Sequence, residues 1–349
     1  MALGKLLTGK KVVLSLYRSA LRQVRLLPNN YLRQFWRLKF SDDARTILGT
    51  WESEEMRYHK IKRVRKEVKK LQRANAGEQE YLTHILDVAY GRKGPLKYAI
   101  LKPLLTDPTV PLPPRIIPSV ERSRPPVFSR ELTALITSDH ARISGKALPS
   151  SYLTRPPNLP PRADPDSEEA RLFGRYSKRL EVNKRRRFFA NQWRTVKPPL
   201  EITVKHVGDK RAASESSEVD AVTHAGVRGV GLQGAGIFQE LKMLAGPVGR
   251  TPPMPRRQRQ LLQSLTGAPV HDPPPQPSAP TRYLRRRYRE LMGRIPILTY
   301  TPPSKKPSTD SDDSQRGKYT VSFDSNAIIT HGRTFPRIPQ ADAIDMAWI

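Results

Sequence analysis

From Val13 the apolar positions recur as Val13, Leu16, Tyr17, Ala20, Leu21, Val24 and Leu27. Spacings of three and four put them on one helical face. Pro28 ends this helix, because a proline pushes the residue before it out of helical geometry. Arg18, Arg22 and Arg25 flank the apolar stripe, within about 60° of one another at ~100° per residue, and make a basic stripe beside it. A second helix is expected over 30–40, capped by Asn29 or Asn30, with Tyr31, Phe35, Trp36 and Phe40 as its bulk. Ser41-Asp42-Asp43 reads as a new start, a capping side chain followed by acids that suit the positive end of the helix dipole. The third helix is long, with Ile47, Leu48, Trp51, Met56, Tyr58, Ile61, Val64, Val68 and Leu71 as its apolar members. Its exposed face carries Lys60, Lys62, Arg63, Arg65, Lys66, Lys69 and Lys70. It should fray near Gly77, with a short helix following at 78–90. The pattern predicts a small up-down bundle of three antiparallel helices over residues 8–76 and a short helical extension over 77–101.

Proline then changes the picture. Residues 1–100 contain only Pro28 and Pro95, whereas residues 103–165 contain fourteen. Residues 102–165 therefore read as a polyproline-like linker or an irregular wrapping segment. A basic helical segment is expected at 166–196, with Ser167, Glu168 and Glu169 as start signals. Residues 197–280 look like low-complexity loop with short helices at 236–244 and 255–265. A basic helix follows at 281–293, and 294–349 is a polar, largely disordered tail apart from a strand at 318–323. No fixed-period repeat is present. The fold class expected is mostly α: an N-terminal three-helix bundle followed by a long, Pro-rich, largely irregular extension with scattered helices.

Charge narrows the partners. The chain has 62 basic and 32 acidic residues, a net charge of +30, and 37% hydrophobic residues. A body so charged repels itself unless it meets nucleic acid, an anionic membrane surface or an acidic protein. Cysteine is absent, which excludes disulfides and thiolate-ligated metals. No run of about 18 apolar residues exists, so no membrane span is expected. The first 40 residues hold nine Lys/Arg and no Asp/Glu, the composition of a mitochondrial transit peptide. Gly229-Val230-Gly231-Leu232-Gln233-Gly234 spells a dinucleotide-binding pattern, but it lacks a convincing strand before it and an acid after it. His59, His84, His140, His206, His224, His271 and His331 are scattered without metal-ligand spacing. No nucleophile–base arrangement is recognisable, so a non-enzyme is expected.

Leu16-Tyr17-Arg18 on a basic first helix is the tripeptide that names the LYR family. Arg25 and Pro28 follow at familiar intervals, and Tyr31-Leu32-Arg33-Gln34-Phe35-Trp36-Arg37-Leu38-Lys39-Phe40 is similar to that family's second helix. Phe40 takes the place of the family's downstream phenylalanine. The first 70 or so residues, about a fifth of the chain, thus resemble the LYR-motif (complex I LYR-like) mitochondrial family, and the whole looks like fungal members with a long basic C-terminal extension. The resemblance implies an adaptor of the mitochondrial matrix that supports assembly or stability of a larger mitochondrial complex. Its partner would be mitochondrial acyl carrier protein. The acyl-phosphopantetheine would come with that carrier, no cofactor being bound directly. Leu16, Tyr17, Arg18, Leu21, Arg22, Arg25, Arg37, Lys39 and Phe40 would make the contact, cations meeting an acidic carrier helix and the apolar stripe lining the acyl chain.

A second expectation comes from the basic-aromatic runs. Lys184, Arg185, Arg186, Arg187 and Trp193, with Arg285, Arg286 and Arg287, combine phosphate-neutralising cations with rings that stack on unpaired bases. They suit an RNA-binding component or assembly factor of the mitochondrial ribosome; solvated arginines over a buried aromatic face are the plainer reading.

Overall fold

The computed structural model describes residues 9–50, 53–107, 110–205, 227–246, 281–302 and 317–328. The chain is mostly helical. Helix α1 is Lys10–Arg25 and α2 is Asn30–Leu48, the latter capped by the Asn29 side chain, which accepts from Leu32 N at 3.1 Å. Ser41-Asp42-Asp43 lies inside α2 and starts no helix. The reason is the apolar period. Leu32, Trp36, Phe40 and Ile47 are all buried and Ala44 packs against them, so the face continues straight through the acids. The expected start signature occurs a dozen residues later. Helix α3 is Glu54–Asn75, Ser53 accepts from Met56 N at 3.3 Å, and Glu54 and Glu55 occupy the first turn.

Helix α4, Gln79–Ala89, follows at the expected place and leads into α5, Pro95–Leu101. Between them Gly91 and Gly94 adopt positive φ (66° and 84°), which glycine tolerates without cost to a side chain. Across the proline-rich stretch the chain wraps rather than spaces. Helix α6, Arg130–Thr137, buries Leu132, Leu135 and Ile136 completely. A single turn, α7 (Ser151–Thr154), precedes α8 (Glu168–Phe173) and α9 (Lys178–Thr195). The one helical island expected at 166–196 is thus two helices, separated where Gly174 takes φ 75°. Helix α10, Ile237–Ala245, and α11, Arg282–Met292, complete the helices among the described residues. The helix expected at 255–265 lies outside the described residues.

A three-stranded sheet was not expected. Strands β1 (Ile202–Val204), β2 (Ile297–Thr301) and β3 (Lys318–Ser322) pair in the order β1-β2-β3. β1 runs parallel to β2 with Ile202 opposite Leu298, and β2 runs antiparallel to β3 with Thr299 opposite Thr320. Only β3 shows the two-residue alternation that marks a strand in sequence.

Residues of α1–α6, α10, α11, β1 and β2 share one hydrophobic cluster. The seam between the N-terminal helices and the rest is α11, which packs on α4 and α10. Asp87 at the end of α4 is 3% exposed and pairs with Arg294 (2.6 Å) and Lys93 (3.0 Å). Arg92 Nη1 donates to the Arg294 carbonyl at 3.2 Å.

Candidate partner-binding site

The α1–α2 hairpin is held by its own turn. Arg33 Nε donates to the Leu27 carbonyl at 2.7 Å, and Asn75 Nδ2, at the end of α3, reaches Gln23 on α1 at 3.0 Å. Between α1 and α2 runs a groove of about 370 Å³, lined by Tyr17, Leu21, Val24, Arg25, Asn30, Arg33, Gln34 and Arg37. Four of the residues singled out from sequence, Tyr17, Leu21, Arg25 and Arg37, therefore meet in one groove. Arg18 and Arg22 are exposed on α1, and Leu16 is half-buried against the core. None of Arg18, Arg22, Arg25 and Arg37 is paired with another described residue.

The other two candidates sit differently. Lys39 is paired with Asp43 at 3.2 Å, and its ammonium lies 5.0 Å from the Trp36 ring centre and 5.4 Å from that of Phe40. Asp43 also holds Arg63 of α3 at 3.1 Å, so Lys39 belongs to a clamp between α2 and α3. Phe40 is 1% exposed and lies in the bundle interior, its ring 5.6 Å from that of Trp36. Sequence reasoning counted Trp36 only as bulk. It is completely buried, and its indole Nε1 has no hydrogen-bond partner among the described residues. An unmet donor inside the bundle costs about 1–3 kcal/mol unless something accepts from it. The signal for it was its place between Leu32 and Phe40 on the inward face.

The basic-aromatic candidates are largely engaged in the fold. Lys184 lies over the Tyr176 ring at 5.2 Å, Arg185 pairs with Glu181 at 2.8 Å, and Arg186 donates to the Arg122 carbonyl. Trp193 packs edge-on against Tyr98 of α5 at 5.4 Å. On α11, Arg286 pairs with Glu290 at 3.6 Å and Arg285 packs against Gly246. Arg287 is turned inward, 5% exposed, and pairs with Glu290 at 2.9 Å. Arg187 stays exposed on α9.

The glycine-rich turn is structural. Gly231 sits where a Cβ would lie 3.1 Å from the Ala99 carbonyl oxygen of α5. Gln233 brackets β1, accepting from Ile202 N at 2.9 Å and donating to its carbonyl at 3.1 Å. His84 contacts Glu67 and Lys70 on α3. Among the described residues no group of three His, Asp or Glu is placed to hold a metal ion, and no helix is long and apolar enough to cross a membrane.

Residues 16–101 match the family described as LYR motif-containing protein 2-like. This part of the chain, about a quarter of it, is thus similar to LYR-motif proteins and makes up its LYR region. The match opens on Leu16, the first residue of the tripeptide, and closes on Leu101, the last of α5. The LYR region therefore takes in α4 and α5 as well as the bundle. No curated protein and no solved structure matches the chain. LYR-motif proteins are in general small, non-enzymatic adaptors of mitochondria that partner with acyl carrier protein.

Proposed function

We propose that the α1–α2 groove of the LYR region receives acylated acyl carrier protein in the mitochondrial matrix, and that the remainder of the chain joins this pair to a larger mitochondrial assembly. The observation that carries the reading is a set of cations, paired with no described residue, around a partly apolar groove: Arg25 and Arg37 line it with Tyr17 and Leu21, and Arg18 and Arg22 stand exposed on α1. An acidic carrier helix would form charge-assisted hydrogen bonds there. The acyl-phosphopantetheine would be the carrier's, and it supplies an apolar chain on a polar amide-bearing arm. Each methylene taken from water contributes about 0.8 kcal/mol, so the chain's length would matter. The unpartnered Trp36 Nε1 suits a carbonyl of such an arm, and Phe40 beside it suits the chain. Reaching them requires the helices to part, because Phe40 and Trp36 are closed off from solvent.

The test is co-purification of carrier protein from a mitochondrial extract with the full chain and with an Arg18→Gln/Arg22→Gln/Arg25→Gln/Arg37→Gln variant. These side chains are unpaired, so the variant should fold normally and lose the carrier. Retention of the carrier at wild-type yield would overturn the proposal. Phe40→Ala is a poorer probe, because a buried Phe→Ala change costs about 3–5 kcal/mol of stability and confuses folding with binding.

A further inference from the structure

The long helix α3 carries a second cationic surface that neither the carrier-protein groove nor the fold uses. On the flanks of its outer face the cations are engaged: Lys60 donates to Thr50 at 2.7 Å, Arg63 pairs with Asp43, Lys70 pairs with Glu67 at 3.0 Å, and Arg73 donates to the Tyr81 hydroxyl. Along the crest they are not. Lys62, Arg65, Lys66 and Lys69 are exposed and pair with no described residue. At ~100° per residue these four fall within a sector of about 100°, together with Tyr58. The acid of this stretch, Glu67, points the other way, toward His84 and Lys70. Among the described residues no carboxylate pairs with these four cations, and Glu55, a turn before Tyr58, is engaged by His59, so the crest carries uncompensated positive charge.

Two further features limit what fits. The four cations stand at three levels, Lys62, then Arg65 with Lys66, then Lys69, spanning about 10 Å at ~1.5 Å rise per residue. That reach covers about three phosphates of a stacked strand at ~3.4 Å each. At the head of the row Tyr58 is 42% exposed, and with Ile61 it lines the same groove of about 250 Å³ as the cations. A row of cations ending in an exposed ring matches a strand with unpaired bases: phosphates follow the row and a base stacks on the ring. An acidic helix would satisfy the charges and leave the ring without a flat partner, and a duplex would hide its base faces.

We infer that the Tyr58–Lys69 face of α3 binds single-stranded nucleic acid through its backbone, with one base stacked on Tyr58. The inference stands apart from the carrier-protein reading, which concerns the α1–α2 groove. It also differs from the arginine runs of α9 and α11, several of whose cations are already paired within the fold.

The test uses the full chain and a fluorescein-labelled single-stranded RNA of about a dozen mixed nucleotides, long enough for the ~10 Å crest to be covered several times over. Fluorescence anisotropy is read across a salt series, with the same sequence as single-stranded DNA, a blunt RNA duplex and poly-L-glutamate as comparison probes. RNA and DNA single strands should bind alike, and both more tightly than the duplex or polyglutamate. Lys62→Gln/Arg65→Gln/Lys66→Gln/Lys69→Gln should flatten the slope of log affinity against log salt by about 2, from ~3 phosphates at ~0.7 each. Between roughly 50 and 200 mM salt, the wild type should then lose on the order of 20-fold more affinity than the variant. Lys62→Arg/Lys66→Arg/Lys69→Arg should keep the wild-type slope. Tyr58→Ala should weaken single-strand binding roughly fivefold or more with the slope unchanged. An unchanged slope in the four-Gln variant, with its circular dichroism intact, overturns the inference. So does tighter binding of polyglutamate than of RNA, which would make the crest a dock for an acidic protein.

Discussion

Asp87 is the residue whose replacement most directly tests whether the LYR region and the extension fold as one body. Its carboxylate is 3% exposed, 2.6 Å from Arg294 beyond α11 and 3.0 Å from Lys93 in the turn after α4. Arg92, beside them, is driven down to about 9 by burial, against the pull of Asp87 and with the push of Arg294. Asp87→Ala would leave three cations facing one another with no anion among them. Removing one partner of a buried pair costs about 3–5 kcal/mol. Here Arg294 is 28% and Lys93 59% exposed at the side chain, so water covers part of the loss. We therefore expect about 3 kcal/mol, toward the low end of that range. For a chain of 349 residues, at ~2.1 cal/mol/K of unfolding entropy per residue, the midpoint temperature should fall by roughly 4 °C. Urea unfolding followed by tryptophan fluorescence and by far-ultraviolet circular dichroism reads both the loss and its cooperativity. The two probes should move together, because α11 and α4 share one core. A loss below about 1 kcal/mol would refute the reasoning, because it would mean the pair is effectively solvated. So would a first transition confined to the extension. Replacing both partners, as Asp87→Asn/Arg294→Met, should cost less than the sum of the two single changes.

Other consequences are equally direct. Glu67 is pushed up by burial, but hydrogen bonds from His84 and Lys70 and the charge of Lys39 outweigh this and hold it at about 2 instead of 4.5. Its contribution to stability is thus complete above pH 4.5 and is lost as the pH falls toward 2. Glu67→Gln should show a shallower acid dependence across that window in a pH series of urea midpoints, and identical slopes would sink the assignment. Gly91→Ala meets positive φ and would drive its Cβ into Ile100 Cδ1. It should cost about 1–2 kcal/mol from the backbone alone, plus the displacement of Ile100, measured by the same unfolding assay. Trp36→Phe removes a buried donor that has no partner. Relief of that unmet group offsets part of the lost packing, so stability should change by less than about 2 kcal/mol while affinity for acylated carrier falls. Equal affinity of the two proteins in a pull-down with acylated carrier would argue that the indole N–H is not used.

Local pattern alone determined a good deal of this protein. The spacing of Val13, Ala20, Val24 and Leu27, the stop at Pro28, the cap at Asn29 and the arginines beside the apolar stripe all express interactions within a few residues of each other. They could be read without knowing what lies opposite. The same holds for Ser167, whose side chain caps the helix that follows it. The boundary between α2 and α3 was misread because a capping signature at Ser41 is worth about 1 kcal/mol, less than continued burial of Ala44 and Ile47. What tertiary structure decided involves partners far apart in the chain. β1 and β2 are short strands about a hundred residues apart that become a sheet only by pairing with each other. α6 packs on α9 and β3, both of which lie beyond the proline-rich stretch. Arg287 looks solvent-bound in sequence and is buried, whereas the crest of α3 looks like any charged helix and is left uncompensated. Charge in a sequence says how many cations there are. Which of them remain free to bind a partner is settled by the carboxylates and carbonyls that folding brings within about 3 Å.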